Sequence, residues 1–312
     1  MKNDIKLSVI IISYKQAKYI RDAIDSVLMQ KVNFKYELLL ADDCSQDGTL
    51  EIMKEYEKKY PDIVRVLEWK ENLGATANIL SAGKQSKGKY VTILEGDDYW
   101  INENKLQTQV DILEKHPEYI GVSHMQQGRD LENRVLGIYP RWIKKDCVLD
   151  FKNFEKSQNF SSSTCMYRNI YIEKEYESEI KFLFSLHRIV ADLQLCYFLL
   201  KHGNIYNIYK PMMVYRVIKK EGEANYNSNN TVLDINYGSL KIVSAIDKKT
   251  NYKYNFYKRY LDYITIGFTF SVLKGNFKRF KDFWNECPKK YRLRILLMIP
   301  FHGLKILLSR RK

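Results

Sequence analysis

The strongest constraint on how this chain folds is a rhythm in its first hundred residues, where short aliphatic runs alternate with helical patterns. Leu7–Ile12 is almost unbroken aliphatic sequence, as expected of a parallel strand buried on both faces. In the next segment Ile20, Ala23, Ile24, Val27 and Leu28 repeat at i, i+3, i+4, i+7 and i+8, which predicts an amphipathic helix. The alternation continues with a strand over Tyr36–Leu40 and a helix over Thr49–Tyr60, stopped by Pro61. A strand over Ile63–Leu67, a helix over Ala75–Gln85 and a strand over Tyr90–Leu94 complete it. Strands alternating with helices predict an α/β protein with a doubly wound, mainly parallel sheet.

This rhythm places two acidic clusters directly after strands. Asp42-Asp43-Cys44-Ser45-Gln46-Asp47-Gly48 follows the second strand, and Glu95-Gly96-Asp97-Asp98 follows the strand that ends at Leu94. In open α/β sheets that edge is where ligands bind, at the point where strand order reverses. Carboxylates gathered there repel one another, so a cation or shifted pKa values are expected. Mg²⁺ and similar hard ions use one or two carboxylates together with substrate phosphates, and a metal-bridged nucleoside diphosphate suits such an edge. The competing reading is that these are turn-forming and helix-capping aspartates. That would suffice for a lone Asp-Asp pair; two clusters at two strand ends weigh against it.

The middle of the chain is mixed. A helix is expected over Asn104–His116, a strand over Tyr119–His124, and no regular structure over residues 125–160. Ser161–Arg168 reads as a small-residue loop entering a strand. A helix over Ala191–Lys201 closes at His202-Gly203, and short strands follow over Ile205–Ile208 and Met212–Val217. The hydrophilic stretch Lys219–Thr231 marks a boundary, dividing the chain into 1–220 and a mainly helical, basic 221–312.

The ordered motifs resemble the GT-A-fold inverting glycosyltransferases of family 2 over roughly residues 6–218. The resemblance rests on Leu7-Ser8-Val9-Ile10-Ile11-Ile12-Ser13-Tyr14, on Asp42-Asp43-Cys44-Ser45-Gln46-Asp47-Gly48-Thr49, and on Glu95-Gly96-Asp97-Asp98-Tyr99-Trp100 leading to Lys105-Leu106-Gln107-Thr108-Gln109. It implies a GT-A catalytic domain over 1–220, with a nucleotide-binding half (1–100) and an acceptor-binding half (101–220), followed by a C-terminal extension. The implied reaction moves a sugar from a nucleotide-diphosphate donor, a UDP-sugar first, to a hydroxyl of a glycan or lipid-linked glycan. Mg²⁺ or Mn²⁺ would be the cofactor, and cell-surface polysaccharide synthesis the setting. Tyr14 and Asp43 would meet the nucleotide base, with Asp42 orienting the loop. Glu95 stands in the first place of the family's Asp-x-Asp motif, while Asp97 and Asp98 would hold the metal.

Asp192, at the start of a helix well after the metal motif, occupies the place of the family's base. Inversion by direct displacement needs one carboxylate to take the acceptor hydroxyl's proton. Val214-Tyr215-Arg216-Val217-Ile218 resembles a family segment in which Arg216 would touch the diphosphate; Ile218 stands where the family often has His. Ala77-Asn78 likewise lacks the Arg that often precedes the Asn. His187 and His202 read as structural, and Ser161–Thr164 as lining the acceptor site.

Charge adds a location. The chain carries a net +14, and residues 241–312 hold 18 Lys and Arg against 4 Asp and Glu, while the rest balances at 33 of each. A cationic segment with apolar helical stretches suggests an anionic membrane surface as partner. A nucleic-acid partner would need a recognised binding module, and none is present. A catalytically inactive nucleotide-sugar-binding regulator would lack the metal or base carboxylates, which are all here. A nucleotidyltransferase would carry a Gly-rich phosphate loop after the first strand, where none occurs. The five cysteines are scattered without a C-x-x-C pair, which fits a reducing cytoplasm. With no signal-peptide layout and no spanning segment, the expected location is the inner face of the cell membrane, as a peripheral protein.

Overall fold

The computed structural model describes residues 5–218, 231–273 and 275–309. They fall in two compact units: Met1–Phe151 with Asn159–Ser228, and Lys152–Gln158 with Asn229–Lys312. Residues 219–230 of the expected boundary stretch lie outside the described residues, as do Lys274 and Arg310–Lys312.

The first unit opens with β1 (Leu7–Ser13), α1 (Ile20–Leu28), β2 (Tyr36–Asp42), α2 (Thr49–Lys59), β3 (Val64–Glu68), α3 (Ala75–Gly83) and β4 (Tyr90–Glu95). These four strands lie parallel in the order β3-β2-β1-β4. Every residue of β1 is buried, which explains its unbroken aliphatic sequence. α1 buries Ile20, Ala23, Ile24 and Val27 against Leu7, Val9 and Ile11 of β1 and Leu38 and Leu40 of β2 in one core. The chain leaves β1 toward β2 and β3, then returns to the other side of β1 as β4. Strand order therefore reverses at β1, and the carboxyl ends of β1, β2 and β4 are the edge where such sheets take their ligands.

The chain continues with β5 (Tyr99–Trp100), α4 (Lys105–Lys115), β6 (Tyr119–Arg129), β7 (Val135–Tyr139), β8 (Cys147–Leu149), α5 (Phe151–Glu155), β9 (Met166–Arg168), α6 (Glu177–Ser185), α7 (Asp192–His202) and β10 (Asn204–Arg216), of which only α5, after Phe151, belongs to the second unit. The sheet runs on from β4 as β9-β6-β10-β5, with β9 antiparallel to both neighbours and β10 parallel to β6.

Two expectations are corrected. Residues 125–160 are not irregular: β6 extends to Arg129, and β7 and β8 pair with β6 and β10. Val135, Leu136 and Ile138 of β7 are all exposed, so no buried face imposed an alternating pattern on the sequence. The two short strands expected after Gly203 are a single strand, β10, whose register with β6 shifts on both sides of Pro211. Proline cannot donate to a ladder, and the irregularity absorbs it.

The second unit is helical, as expected: α8 (Val232–Lys249), α9 (Tyr257–Leu273), α10 (Phe277–Asn285) and α11 (Lys289–Ser309). Thr231 and Asp234 form a capping box at the start of α8. Gly267 lets the Phe283 ring lie against α9, where a Cβ would sit 2.5 Å from it. Arg259 is fully buried, its Nε donating to the Phe154 carbonyl at 2.5 Å and its guanidinium 3.5 Å from that ring's centre. No helix among the described residues is long and apolar enough to cross a membrane.

Candidate active site

The carboxyl edge of the sheet is shaped by two loops locked together. Ser13 pairs with Asp42 at the end of the β1–β2 ladder, and the Asp43 N–H donates to the Ser13 carbonyl at 2.9 Å. Backbone N–H groups of Lys15, Gln16 and Ala17 donate to Ser45 Oγ, Thr49 Oγ1 and Asp47 Oδ2 at 2.9, 2.9 and 3.1 Å. The polar residues after β2 thus fix the turn after β1, which carries the partly exposed Tyr14 at the same edge. Asp42 accepts the Ser45 N–H at 2.8 Å.

Asp43, 3% exposed, receives two backbone donors. Leu73 N–H and Gly74 N–H reach its two carboxylate oxygens at 2.7 and 2.9 Å, and Asn72 Nδ2 donates to its carbonyl at 2.9 Å. Burial raises its pKa against the pull of those donors and of the Arg188 charge. A carboxylate has about four lone-pair sites, so two donors do not exhaust it. Gly74 is at φ +84, and a Cβ there would lie 2.2 Å from Arg188 Cγ, so only glycine brings this donor up to Asp43.

The acidic turn after β4 lies beside the β1 loop. Gly96 N–H donates to the Ile12 carbonyl at 2.9 Å, and a Cβ on Gly96 would lie 2.4 Å from Gln16 Oε1. Glycine between two carboxylates is what lets this turn approach so closely. Arg216 anchors the turn to β10. Its backbone N–H donates to Asp98 Oδ1 at 2.9 Å, and its Nη1 to the Asp97 carbonyl at 2.8 Å. Its Nη2 pairs with Asp22, and its guanidinium lies 4.5 Å from the centre of the Tyr99 ring. The residue expected at a diphosphate thus also holds the acidic turn.

Asp192 is the first residue of α7, and its Oδ1 accepts the Ser162 N–H at 2.9 Å. The Ser161–Thr164 segment, a short 3-10 turn with Ser162, Ser163 and Thr164 buried, therefore meets Asp192. Asp192 is close enough to Glu95 for the two charges to oppose each other.

Glu95, Asp97, Asp98 and Asp192 thus form one electrostatic cluster. Burial, then repulsion by Asp97 and Asp192, holds the Glu95 carboxyl well above the usual carboxylate range. Burial, then repulsion by Asp97 and Glu95, does the same to Asp98, with Arg216 opposing. Burial also raises Asp192, against the Ser162 hydrogen bond. A site this rich in buried negative charge fits a divalent cation. Among the described residues no group of three or more His, Cys, Asp or Glu side chains is placed to hold one.

Sequence reasoning passed over a buried pair beneath this turn. Lys105 and Gln109 are both 0% exposed. Lys105 Nζ lies 3.9 Å from the Trp100 ring centre and donates to Gln109 Oε1 at 2.8 Å. Gln109 Nε2 donates to the carbonyls of Val122 and Thr164 at 2.7 and 3.1 Å. The pair thus links Trp100, two residues after the acidic turn, to the segment that holds Asp192. Its only signal was the i, i+4 spacing within Lys105–Gln109. Arg188 was also missed; it donates to the Asn72 carbonyl at 2.6 Å and accepts from Thr76 N–H at 3.0 Å. His187 Nδ1 accepts from the backbone of Ile189 and Val190, and His202 pairs with Glu179.

Comparison with known proteins agrees with this architecture. TuaG of Bacillus subtilis, a putative teichuronic acid biosynthesis glycosyltransferase, is 37% identical over 107 residues, covering 34% of this chain and 41% of TuaG. The structure of Staphylococcus aureus TarS residues 1–349 in complex with UDP superposes with a TM-score of 0.59 at 20% identity, over 96% of this chain and 88% of that one. The mannosyltransferase PcManGT of Pyrobaculum calidifontis, solved with GDP-Man and Mn²⁺, gives 0.54 at 16% identity over 96% and 87%. At these identities the solved structures speak for the fold, which is GT-A. The matched stretches span only 32% to 41% of the length of curated relatives at 37% to 40% identity. The model of "Glycosyl transferase family 2" matches residues 8–175, more than half of the chain, and the chain belongs to that family.

Proposed function

We propose that this protein is a metal-dependent inverting glycosyltransferase. It moves a hexosyl or N-acetylhexosaminyl group from a nucleotide-diphosphate donor, a UDP-sugar first, to a hydroxyl of a glycan or lipid-linked glycan in cell-surface polysaccharide synthesis. The observation that carries this reading is the clustering of Glu95, Asp97, Asp98 and Asp192 at the carboxyl edge of the sheet. TuaG, similar in sequence over 34% of this chain, and TarS, similar in fold over 96% of it, suggest the polymer and the uridine nucleotide. The proposed setting is the cytoplasmic face of the membrane.

Tyr14 and Asp43 would receive the base, with Asp42 holding their loop. Glu95 would face the ribose, and Arg216 the diphosphate. Asp97 and Asp98 would hold Mg²⁺ or Mn²⁺, which when bound offsets charge on the departing diphosphate. Asp192 would accept the acceptor hydroxyl's proton as its oxygen bonds to the anomeric carbon. The bond from that carbon to the diphosphate breaks on the opposite face, and the electron pair leaves with the nucleoside diphosphate. Ser162 N–H fixes the orientation of the Asp192 carboxylate, and its hydrogen bond favours the ionised form.

A panel of UDP-, GDP- and dTDP-sugars incubated with the protein and Mn²⁺ tests the reading. Slow release of free nucleoside diphosphate from one donor, abolished by EDTA, is expected. No turnover or binding of any donor would overturn it.

A further inference from the structure

α11 has two opposed faces. Ile295 and Ile299 are buried, and Gly303 comes close to α9, where a Cβ would lie 3.0 Å from Thr269 Oγ1. On the other side Leu293, Leu296, Leu297, Phe301 and Leu304 are exposed by 55% to 74%. At 100° per residue these five fall within about 140° of arc, a continuous apolar stripe. Soluble surfaces do not ordinarily leave large apolar side chains in such a row, and one rimmed by polar residues marks an interaction site.

The charge around the stripe selects its partner. Lys289 and Lys290, both exposed, occupy the first turn of α11 on the same side. Residues 241–312 contain 18 basic and 4 acidic residues. Three of the four acids pair with nearby bases: Asp262 with Lys258 and His302, Asp282 with Arg279, and Glu286 with Lys248. The fourth, Asp247, is buried beside Tyr260. Beside the stripe, the exposed Lys289 and Lys290 therefore present positive charge together with apolar side chains. A second copy of this chain would bring the same positive charge against the stripe, whereas a bilayer with anionic lipids offers hydrocarbon and negative charge together.

We infer that the outer face of α11 docks on an anionic lipid surface. The helix lies in the plane of the interface, with Leu293, Leu297, Phe301 and Leu304 in the acyl boundary and Lys289 and Lys290 at the headgroups. The inference goes beyond the proposed chemistry and does not depend on it.

Sedimentation of the full chain with vesicles tests it, using phosphatidylcholine alone and phosphatidylcholine with phosphatidylglycerol. Binding to the anionic vesicles at low salt, weakened by salt, is expected. Leu297→Gln with Phe301→Gln should cut that binding about tenfold or more, since each change removes an apolar side chain from hydrocarbon. Lys289→Glu with Lys290→Glu should reduce it and flatten its salt dependence. Both double variants should keep the wild-type melting temperature and calorimetric UDP affinity, so that misfolding or a failed glycosyltransferase reading registers separately. No binding to anionic vesicles by the wild type would overturn the inference. So would Gln variants that bind as tightly as wild type, the mark of a soluble polyanion site. Sedimentation velocity showing that the wild type self-associates through this face, and that the Gln pair abolishes it, would also overturn it by assigning the stripe to a second copy.

Discussion

Replacing Asp43 with Asn separates its structural part from any contact with a nucleotide. The carboxylate accepts Leu73 N–H on one oxygen and Gly74 N–H on the other, at 2.7 and 2.9 Å. An amide has one oxygen, so one N–H keeps its acceptor while the other faces an NH₂ group. The lost charge-assisted bond is worth about 1.5–3 kcal/mol, and a stranded buried donor costs about 1–3 kcal/mol more. Part of this is returned, because burial already disfavours the Asp43 charge and an amide is easier to desolvate. A net loss of about 2–3 kcal/mol follows, equivalent to about 5–10 °C in melting temperature for a unit of this size. Asp42→Asn is the internal control. Asp42 makes one short backbone contact, from Ser45 N–H at 2.8 Å, which an amide oxygen can keep. Its loss should be about 1 kcal/mol or less. Thermal unfolding followed by circular dichroism, with UDP calorimetry on the same samples, measures both. Equal melting temperatures for Asp43→Asn and wild type would refute the claim that this carboxylate anchors the 72–74 loop.

Two further outcomes concern the pair beneath the acidic turn. Burial lowers the Lys105 pKa to about 7. Above that value the folded protein sheds a proton that the unfolded chain keeps up to its ordinary pKa near 10.5, so the Lys105 contribution to stability rises with pH from about 7. Lys105→Met should remove up to about 1.4 kcal/mol per pH unit from the slope of unfolding free energy between pH 7 and 9, read from urea titrations; an unchanged slope would contradict the burial of this ammonium. Gln109→Leu strands Lys105 Nζ and the Thr164 carbonyl, and should cost about 2–4 kcal/mol in the same assay. It should also lower turnover more than UDP affinity, because Thr164 belongs to the segment that holds Asp192; a purely proportional loss would argue that the pair serves stability alone.

The parallel half of the fold was legible because its physics is periodic. β1 and β2 are buried on both faces and read as aliphatic runs, and α1 shows its apolar stripe. The acidic turns were legible for a related reason: strand ends in such a sheet converge, so Asp42 and Glu95 had to share an edge. β7 was not, since its exposed Val135, Leu136 and Ile138 obey no burial pattern. β10 was split because Pro211 reads as a strand breaker, and only the register shift in three dimensions accommodates it. Asp43 was singled out, but its partners are backbone N–H groups thirty residues on, which carry no side-chain signature. Lys105 and Gln109 are polar residue types whose sequence carries no sign of burial; only tertiary packing places them inside.

The central claim is that Asp97 serves donor and metal binding while Asp192 serves proton transfer. It is tested most directly by measuring Mn²⁺-dependent UDP binding and sugar transfer on Asp97→Asn and Asp192→Asn side by side. Asp97→Asn should lose both. Asp192→Asn should bind UDP with near wild-type affinity while transfer falls by about 10²–10⁴-fold. Loss of UDP binding in Asp192→Asn, or retention of transfer, would contradict the assignment.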